Sequence, residues 1–145
     1  MKALDRHTFE QIAQRVIEHC LSRDIQGVFA MVDLTSPDSS NVIYWTPVMM
    51  HGVLKLNRPE GKQDTNSLGM ALSKIAGVIA HRKNTGGDES TVEAGQARIR
   101  GEVPYLGGRI SKDLTTGYAF SGGTQEEDDE LMQDAEEYHS LHVPL

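Results

Sequence analysis

The chain has 145 residues and a formal net charge of -7 at neutral pH, a length that suits one domain with its own hydrophobic core. The negative charge opposes binding to nucleic acid, because affinity for a phosphate backbone depends on clustered Lys and Arg. Cys20 is the only cysteine, so an intrachain disulfide and a zinc site built from several thiolates are both excluded.

The hydrophobic pattern favours a cytoplasmic protein without a membrane segment. The sequence has no apolar run long enough to cross a bilayer, and residues 1–7 turn polar too soon for a signal peptide. No linker divides the chain, so we expect residues 1–145 to form a single domain.

The first half of the chain predicts a helix followed by a strand hairpin. Thr8 and Gln11 have capping-box spacing at the helix start. Strands are predicted over residues 28–32 and 42–46, with Pro47 either ending the second strand or placing it on a sheet edge. The predicted apolar face of the helix consists of Phe9, Ile12, Val16, Ile17, Cys20 and Leu21.

The second half predicts a small-residue helix, two strands and a final helix. The helix carries an apolar stripe of Leu68, Leu72, Ile75 and Ile79. A strand edge is predicted within residues 103–111, a last strand over 114–121 and a last helix over 125–139. Short links favour an antiparallel sheet of about five strands packed with helices, an α/β domain of the α+β type.

The junction of the last strand and the last helix is the most informative stretch. Residues 117–121 alternate large and small side chains, and Gly122 and Gly123 then permit positive φ and a close approach of a ligand to the backbone. Thr124 stands three residues before Glu127, the spacing of a capping box. The new helix N-terminus indicates a place for an anion or a ligand oxygen. A strand-to-helix turn without a ligand is the alternative.

Acidic residues are concentrated in the last helix. They indicate a solvated helix face whose first turn complements the helix dipole, with a surface site for a divalent cation as the alternative. These residues are Glu126, Glu127, Asp128, Asp129, Glu130, Asp134, Glu136 and Glu137.

Residues 118–124, followed by Glu127 and Asp128, resemble the terminal G-x-x-G-V-S-G-G-x-x-x-x-D pattern of the GlcG/HbpS-like haem-binding family, which includes the C-terminal domains of PduO-type proteins. Residues 28–33 are similar to the first strand of that family, which ends in Val-Asp, and residues 67–80 to its small-residue helix. The chain departs from the family at Glu102, where a glycine is usual, and over residues 45–51.

The resemblance implies a profilin-like domain that assembles into homo-oligomers and binds a small molecule, haem in some members. Haem requires an apolar slot, an axial ligand and cations for its propionates. The alternatives are an exposed loop for His51, a capped helix C-terminus for His81 and plain packing for the tyrosines. The candidate ligand-binding residues are Ser121, Gly122, Gly123, Thr124, Tyr105, Tyr118, His51 and His81.

Three functional hypotheses follow from the sequence. The first is a small-molecule binding or sensing domain, with haem as the candidate ligand. The second is a catabolic-pathway enzyme with a general acid/base in the same cleft, although the sequence contains no P-loop and no nucleophile elbow, and no base can be assigned to Ser121. The third is an oligomeric scaffold without a ligand.

Overall fold

The computed structural model describes residues 4–35, 41–49, 53–55, 65–86 and 105–142. Within these ranges three α-helices and six β-strands follow one another along the chain. In chain order they are α1 (Arg6–Arg23), β1 (Gly27–Asp33), β2 (Ile43–Val48), β3 (Leu54–Lys55), β4 (Thr65–Asn66), α2 (Ser67–His81), β5 (Gly108–Ile110), β6 (Thr116–Ser121) and α3 (Gln125–His142).

The described strands form one main sheet and one short ladder. The main sheet has the order β2-β1-β6-β5, and every neighbouring pair is antiparallel. Strands β3 and β4 pair with each other in a separate two-stranded ladder. The predicted antiparallel α+β fold is confirmed, with four strands in the main sheet.

The two faces of the sheet carry separate hydrophobic clusters. On one face α1 and α3 pack against β1 and β6, and on the other α2 covers β1, β6 and β5. Alternation along a strand sends Phe29 to the first face and Ala30 to the second. Among the described elements the result is a three-layer arrangement, with α2 on one side of the main sheet and α1 and α3 on the other.

Helix α1 begins earlier than the sequence pattern predicts. Asp5 is its N-cap, and Asp5 Oδ1 accepts a hydrogen bond from the Thr8 backbone N–H at 2.8 Å. The predicted cap at Thr8 is wrong, because Asp5 supplies the same three-residue geometry one turn earlier and Thr8 is buried inside the helix. Cys20 is fully buried as expected, whereas Leu21 is 59% exposed.

Helix α2 turns a different face to the sheet than its leucine stripe suggests. Its buried face includes Ala71, Lys74, Ile75 and Val78, while the predicted stripe residues other than Ile75 are only half-buried. Small residues at the contact between α2 and β6 explain why this face of α2 is buried. A side chain on Gly117 of β6 would approach a Val78 methyl to 3.1 Å, so the helix lies close over that strand.

Strand β2 is an edge of the main sheet and includes Pro47, which lies opposite Val28 of β1. Proline cannot donate a backbone hydrogen bond, so it is tolerated where its nitrogen faces outward from an edge. Helix α3 continues to His142, three residues beyond its predicted end.

Candidate functional site

The Ser-Gly-Gly turn that follows β6 is packed against the protein's own backbone. Gly122 has a φ of 151°, a backbone conformation that residues with a side chain rarely adopt. A Cβ atom there would overlap the Gln26 carbonyl oxygen and lie 2.5 Å from Gly27 Cα. The glycine therefore permits close contact between β6 and the chain entering β1, and this contact fills the space on that side of Gly122.

The predicted capping box at the start of α3 is confirmed. The Thr124 N–H donates to Glu127 Oε1 at 2.9 Å, and the Glu127 N–H donates to Thr124 Oγ1 at 3.2 Å. The Gly123 N–H donates to Asp128 Oδ1 at 2.8 Å. The protein's own side chains thus use donors that the sequence suggested for an anionic ligand.

A buried ion pair connects this turn to α2. Lys74 Nζ lies 3.1 Å from Asp128 Oδ2 and donates to the Phe120 carbonyl oxygen at 2.7 Å. The two charged side chains are only 2% and 5% exposed. The pair therefore ties α2, the end of β6 and the first turn of α3 together at one point.

Burial dominates the ionisation of the groups around this pair. Desolvation lowers the pKa of Lys74 and raises the pKa of Asp128, with the attraction between the two opposing each shift. Burial also raises the pKa of Cys20 to about 12. The thiol therefore stays protonated near neutral pH and unreactive, because the thiolate is the nucleophile.

Sequence reasoning missed Lys74 and misjudged Asp128. Asp128 is 4% exposed, so the interpretation of the acidic run as a solvated face fails at this residue. Its position at the end of the S-G-G-x-x-x-x-D pattern was the available signal for a special role. The signal for Lys74 was a single charge on the apolar part of α2, since buried charges require partners.

Tyr118 points to the opposite face of the sheet from Ser121. Its hydroxyl lies 2.6 Å from His139 Nδ1 and shares a hydrogen bond with it, and the tyrosine is 1% exposed. Burial raises the pKa of Tyr118 and lowers that of His139. The Tyr118 hydroxyl is thus engaged inside the α1–α3 layer.

Tyr105 and His81 are the remaining predicted residues that the structure describes. Tyr105 is 45% exposed in a loop near α3, where the neighbouring Leu106 N–H donates to Gln125 Oε1. Lys74 lies beside Phe120 and Val78 beside Gly117, so α2 runs antiparallel to β6. His81, which ends α2, therefore lies towards the end of the sheet opposite the Ser-Gly-Gly turn. His51 lies outside the described residues. Binding by these residues stays a prediction.

An open groove of about 500 Å³ lies between α1 and β2. Phe9 forms part of its wall, with ring centroids 5.5 Å from Phe29 and 5.6 Å from Tyr44, both in stacked geometry. Trp45 is 45% exposed. The groove is lined by Arg6, Phe9, Glu10, Ala13, Gln14, Ile17, Ile43, Tyr44, Trp45 and Thr46.

Charge is distributed unevenly along the groove. Arg6 and Glu10 form an exposed ion pair at 3.7 Å near the start of α1, whereas Ala13 and Ile17 line it further along the helix. The groove thus has one charged end, and the rest of its lining mixes apolar residues with Gln14 and Thr46. None of the eight ligand-binding residues predicted from sequence is among its lining residues.

No family model matches this sequence, and no curated protein matches it. Two solved structures share the fold. The Klebsiella pneumoniae protein ORFY, of the family DUF336, superposes with a TM-score of 0.69 at 18% identity and covers 97% of this chain and 93% of its own. A PduOC:heme complex superposes with a TM-score of 0.64 at 20% identity and covers 94% of each chain.

The described part of the chain lacks both a membrane-spanning helix and a cluster of metal ligands. Among the described residues, no helix combines the length and the hydrophobicity needed to cross a bilayer. The same residues contain no group of three or more His, Cys, Asp or Glu side chains placed to hold a metal ion.

Proposed function

We propose that the protein is a small-molecule binding domain of the GlcG/HbpS type, and that it takes a planar tetrapyrrole of the haem class in the α1–β2 groove. The observation that carries the proposal is the groove's combination of a stacked aromatic wall and a cationic side chain at one end. The catabolic-enzyme hypothesis has no comparable observation in its favour.

The lining residues supply part of what haem requires. Ile17 offers apolar surface to the ring, with the buried Phe9 and Ala13 behind it. Arg6, which pairs with Glu10, offers a cation to a propionate. Tyr44 carries an oxygen of a kind that holds haem iron in other proteins. When bound, the group would supply redox-active iron, while these residues would bind it and fix its orientation.

The fold likeness supports the choice of ligand class without identifying the ligand. One of the solved structures that share the fold is a complex with heme. At 20% identity the likeness extends to the fold, so the choice of groove rests on this chain's own residues.

Titration with haemin tests the proposal. Trp45 is the only tryptophan of the chain and lies on β2, the strand that borders the groove, so a porphyrin bound nearby should quench its fluorescence. We expect saturable quenching at one haemin per chain, together with a shifted Soret band. Quenching that rises without saturation and leaves the band unchanged would refute the proposal.

A pair of charge reversals on α1 locates the bound ligand. Arg6 lines the groove with a side chain that is 85% exposed, whereas Arg23 lies at the other end of α1 and pairs with Glu130. Arg6→Glu should weaken haemin binding several-fold, because it places a carboxylate beside the propionates. Arg23→Glu, which makes the same charge change, should leave binding unchanged. Equal effects would indicate general electrostatic attraction instead.

The sequence-derived site remains the alternative location for the ligand. Ser121→Ala and His81→Ala test it directly, since neither residue lines the groove. Unchanged haemin affinity in both variants is expected if the groove is the site. A several-fold loss in either variant would move the site to that residue.

We also propose that the protein forms homo-oligomers. Ile43 and Trp45 of β2 are 40% and 45% exposed, and Leu54 is 49% exposed, which is apolar surface of the kind that subunit contacts cover. Light scattering at micromolar concentration measures the mass in solution. A monomer at that concentration would contradict this part of the proposal.

A further inference from the structure

We propose that Tyr44 makes the α1–β2 groove selective for ferric haem over metal-free porphyrin and over ferrous haem. This inference rests on the proposed function and adds an iron-binding atom and a redox preference to it. Three features of the groove support it: the fixed ring of Tyr44, its available hydroxyl and the kind of oxygen that it offers.

The ring of Tyr44 is held by other aromatic side chains. It stacks on Phe9 with an interplanar angle of 22°, and Phe9 stacks on the fully buried Phe29 with an angle of 7°. The base of this stack lies in the hydrophobic core. Because the ring is braced in this way, its hydroxyl needs little rearrangement to meet a ligand.

The Tyr44 hydroxyl has no hydrogen-bond partner among the described residues. Tyr118 differs, since its buried hydroxyl is engaged by His139. A half-buried phenol that lines a groove and has no partner in the described part of the chain is available to a bound molecule.

Few other lining residues carry an atom that binds iron. Glu10 has a carboxylate, but its side chain is 65% exposed and paired with Arg6. Thr46 has a hydroxyl, which donates to the Pro47 carbonyl oxygen at 3.1 Å. Tyr44 therefore has the oxygen best placed to hold iron within this groove.

The chemistry of a phenol oxygen determines the selectivity. Tyrosine is one of the side chains that hold haem iron, and it binds as the phenolate. Coordination forms one iron–oxygen bond and releases the phenol proton to solvent. A hard anionic oxygen prefers Fe(III) to Fe(II), so an added one-electron reductant should weaken the bond and return the proton. Metal-free porphyrin has no iron and gains nothing from this oxygen.

A matched pair of tyrosine variants tests the proposal on the full chain. Tyr44→Phe keeps the aromatic ring and removes only the oxygen. Tyr138→Phe makes the same change in α3 at a half-buried tyrosine outside the groove. Dissociation constants for haemin and for metal-free protoporphyrin IX are measured by quenching of Trp45 fluorescence.

We expect the native protein to bind haemin more tightly than protoporphyrin IX. Tyr44→Phe should weaken haemin binding about tenfold and leave protoporphyrin IX binding unchanged, while Tyr138→Phe should change neither. Native haemin complexes should show phenolate-to-iron charge-transfer absorption that Tyr44→Phe lacks. Reduction with dithionite under anaerobic conditions should remove the preference for the iron-containing ligand.

The failure of this inference is distinguishable from the failure of the proposed function. Equal affinity of the native protein for both porphyrins, or equal loss of both in Tyr44→Phe, would overturn the role of the Tyr44 oxygen while the groove stays a porphyrin site. If neither porphyrin quenches Trp45 saturably, the proposed function itself is wrong.

Discussion

The Ser-Gly-Gly turn and the α1–β2 groove differ in how their polar groups are used. At the turn, backbone donors and charged side chains bind one another, with Gly123 and Lys74 both bonded to Asp128. In the groove, the Tyr44 hydroxyl has no partner among the described residues and Arg6 is exposed. A distinctive local sequence can therefore serve the fold, while the groove that we propose as the ligand surface is formed by ordinary residues from separate elements.

The difference also separates two kinds of experimental effect. Substitutions at the turn should change stability, because they leave buried groups without partners or force the backbone apart. Substitutions in the groove should change ligand binding and leave stability nearly constant.

Asp128→Ala should destabilise the protein most. It leaves the Lys74 ammonium buried without its carboxylate, and loss of one member of a buried ion pair costs about 3–5 kcal/mol. Urea denaturation measures the change in the free energy of unfolding. The double variant Lys74→Met with Asp128→Leu is the control, and it should recover most of the loss because no buried charge remains. A loss below about 1 kcal/mol in Asp128→Ala would show that the pair is relaxed or hydrated.

Gly122→Ala should have the next largest effect. The strained φ alone should lower the free energy of unfolding by about 1–3 kcal/mol. Its added Cβ would also meet the backbone of Gln26 and Gly27. The matched control is Gly123→Ala, whose Cβ would approach a Glu127 side-chain atom to 3.0 Å and require a smaller shift. Equal thermal stabilities of the two variants would contradict the packing described for Gly122.

Tyr118→Phe should cost about 1 kcal/mol, because it leaves His139 Nδ1 without its hydrogen bond inside the α1–α3 layer. Thermal unfolding measures the change. Tyr105→Phe is the control at an exposed tyrosine, and it should leave the melting temperature nearly unchanged. A melting temperature of Tyr118→Phe equal to that of the native protein would exclude a stabilising role for this hydrogen bond.

His139 should contribute a pH dependence of a definite sign. Burial lowers its pKa in the folded protein, so the unfolded chain binds more protons between the folded value and the ordinary value of about 6.5. Its contribution to stability is present above pH ~6.5 and is lost as the pH falls through the folded pKa. Urea midpoints of native protein and His139→Gln, measured above and below that pH, should show a smaller acid-induced decrease in the variant. An equal decrease of the urea midpoint in both proteins would show that His139 does not cause the pH dependence of stability.

Arg6→Glu should have the smallest effect on stability, below about 0.5 kcal/mol, because its side chain is largely solvated and its ion pair is exposed. The same urea experiment measures it. A loss as large as that of Gly122→Ala would show that the groove wall also supports the fold.

Local patterns were sufficient to predict much of the fold. The Thr124–Glu127 capping box and the strands around Phe29 and Phe120 follow from short-range spacing, and the structure contains them. The exposed face of α2 was harder to predict, because its rotation depends on the close approach of Val78 to Gly117 across the sheet. Local spacing does not encode which small residues will meet.

The candidate site was less predictable than the fold for the same physical reason. The wall made by Phe9 and Tyr44 joins a helix to a strand about 35 positions away in the chain, and only the sheet topology brings them together. The glycines at 122 and 123 are conspicuous in the sequence and suggest a ligand site. In the structure, however, the backbone of Gln26 occupies the space next to Gly122.

The most direct test of the division between turn and groove is the haemin dissociation constant of two variants compared with the native chain. Arg6→Glu changes the groove, and Ser121→Ala changes the Ser-Gly-Gly turn. We predict a several-fold weaker affinity for Arg6→Glu and an unchanged affinity for Ser121→Ala. The opposite result, with native affinity in Arg6→Glu and a loss in Ser121→Ala, would place the ligand at the turn and contradict the account.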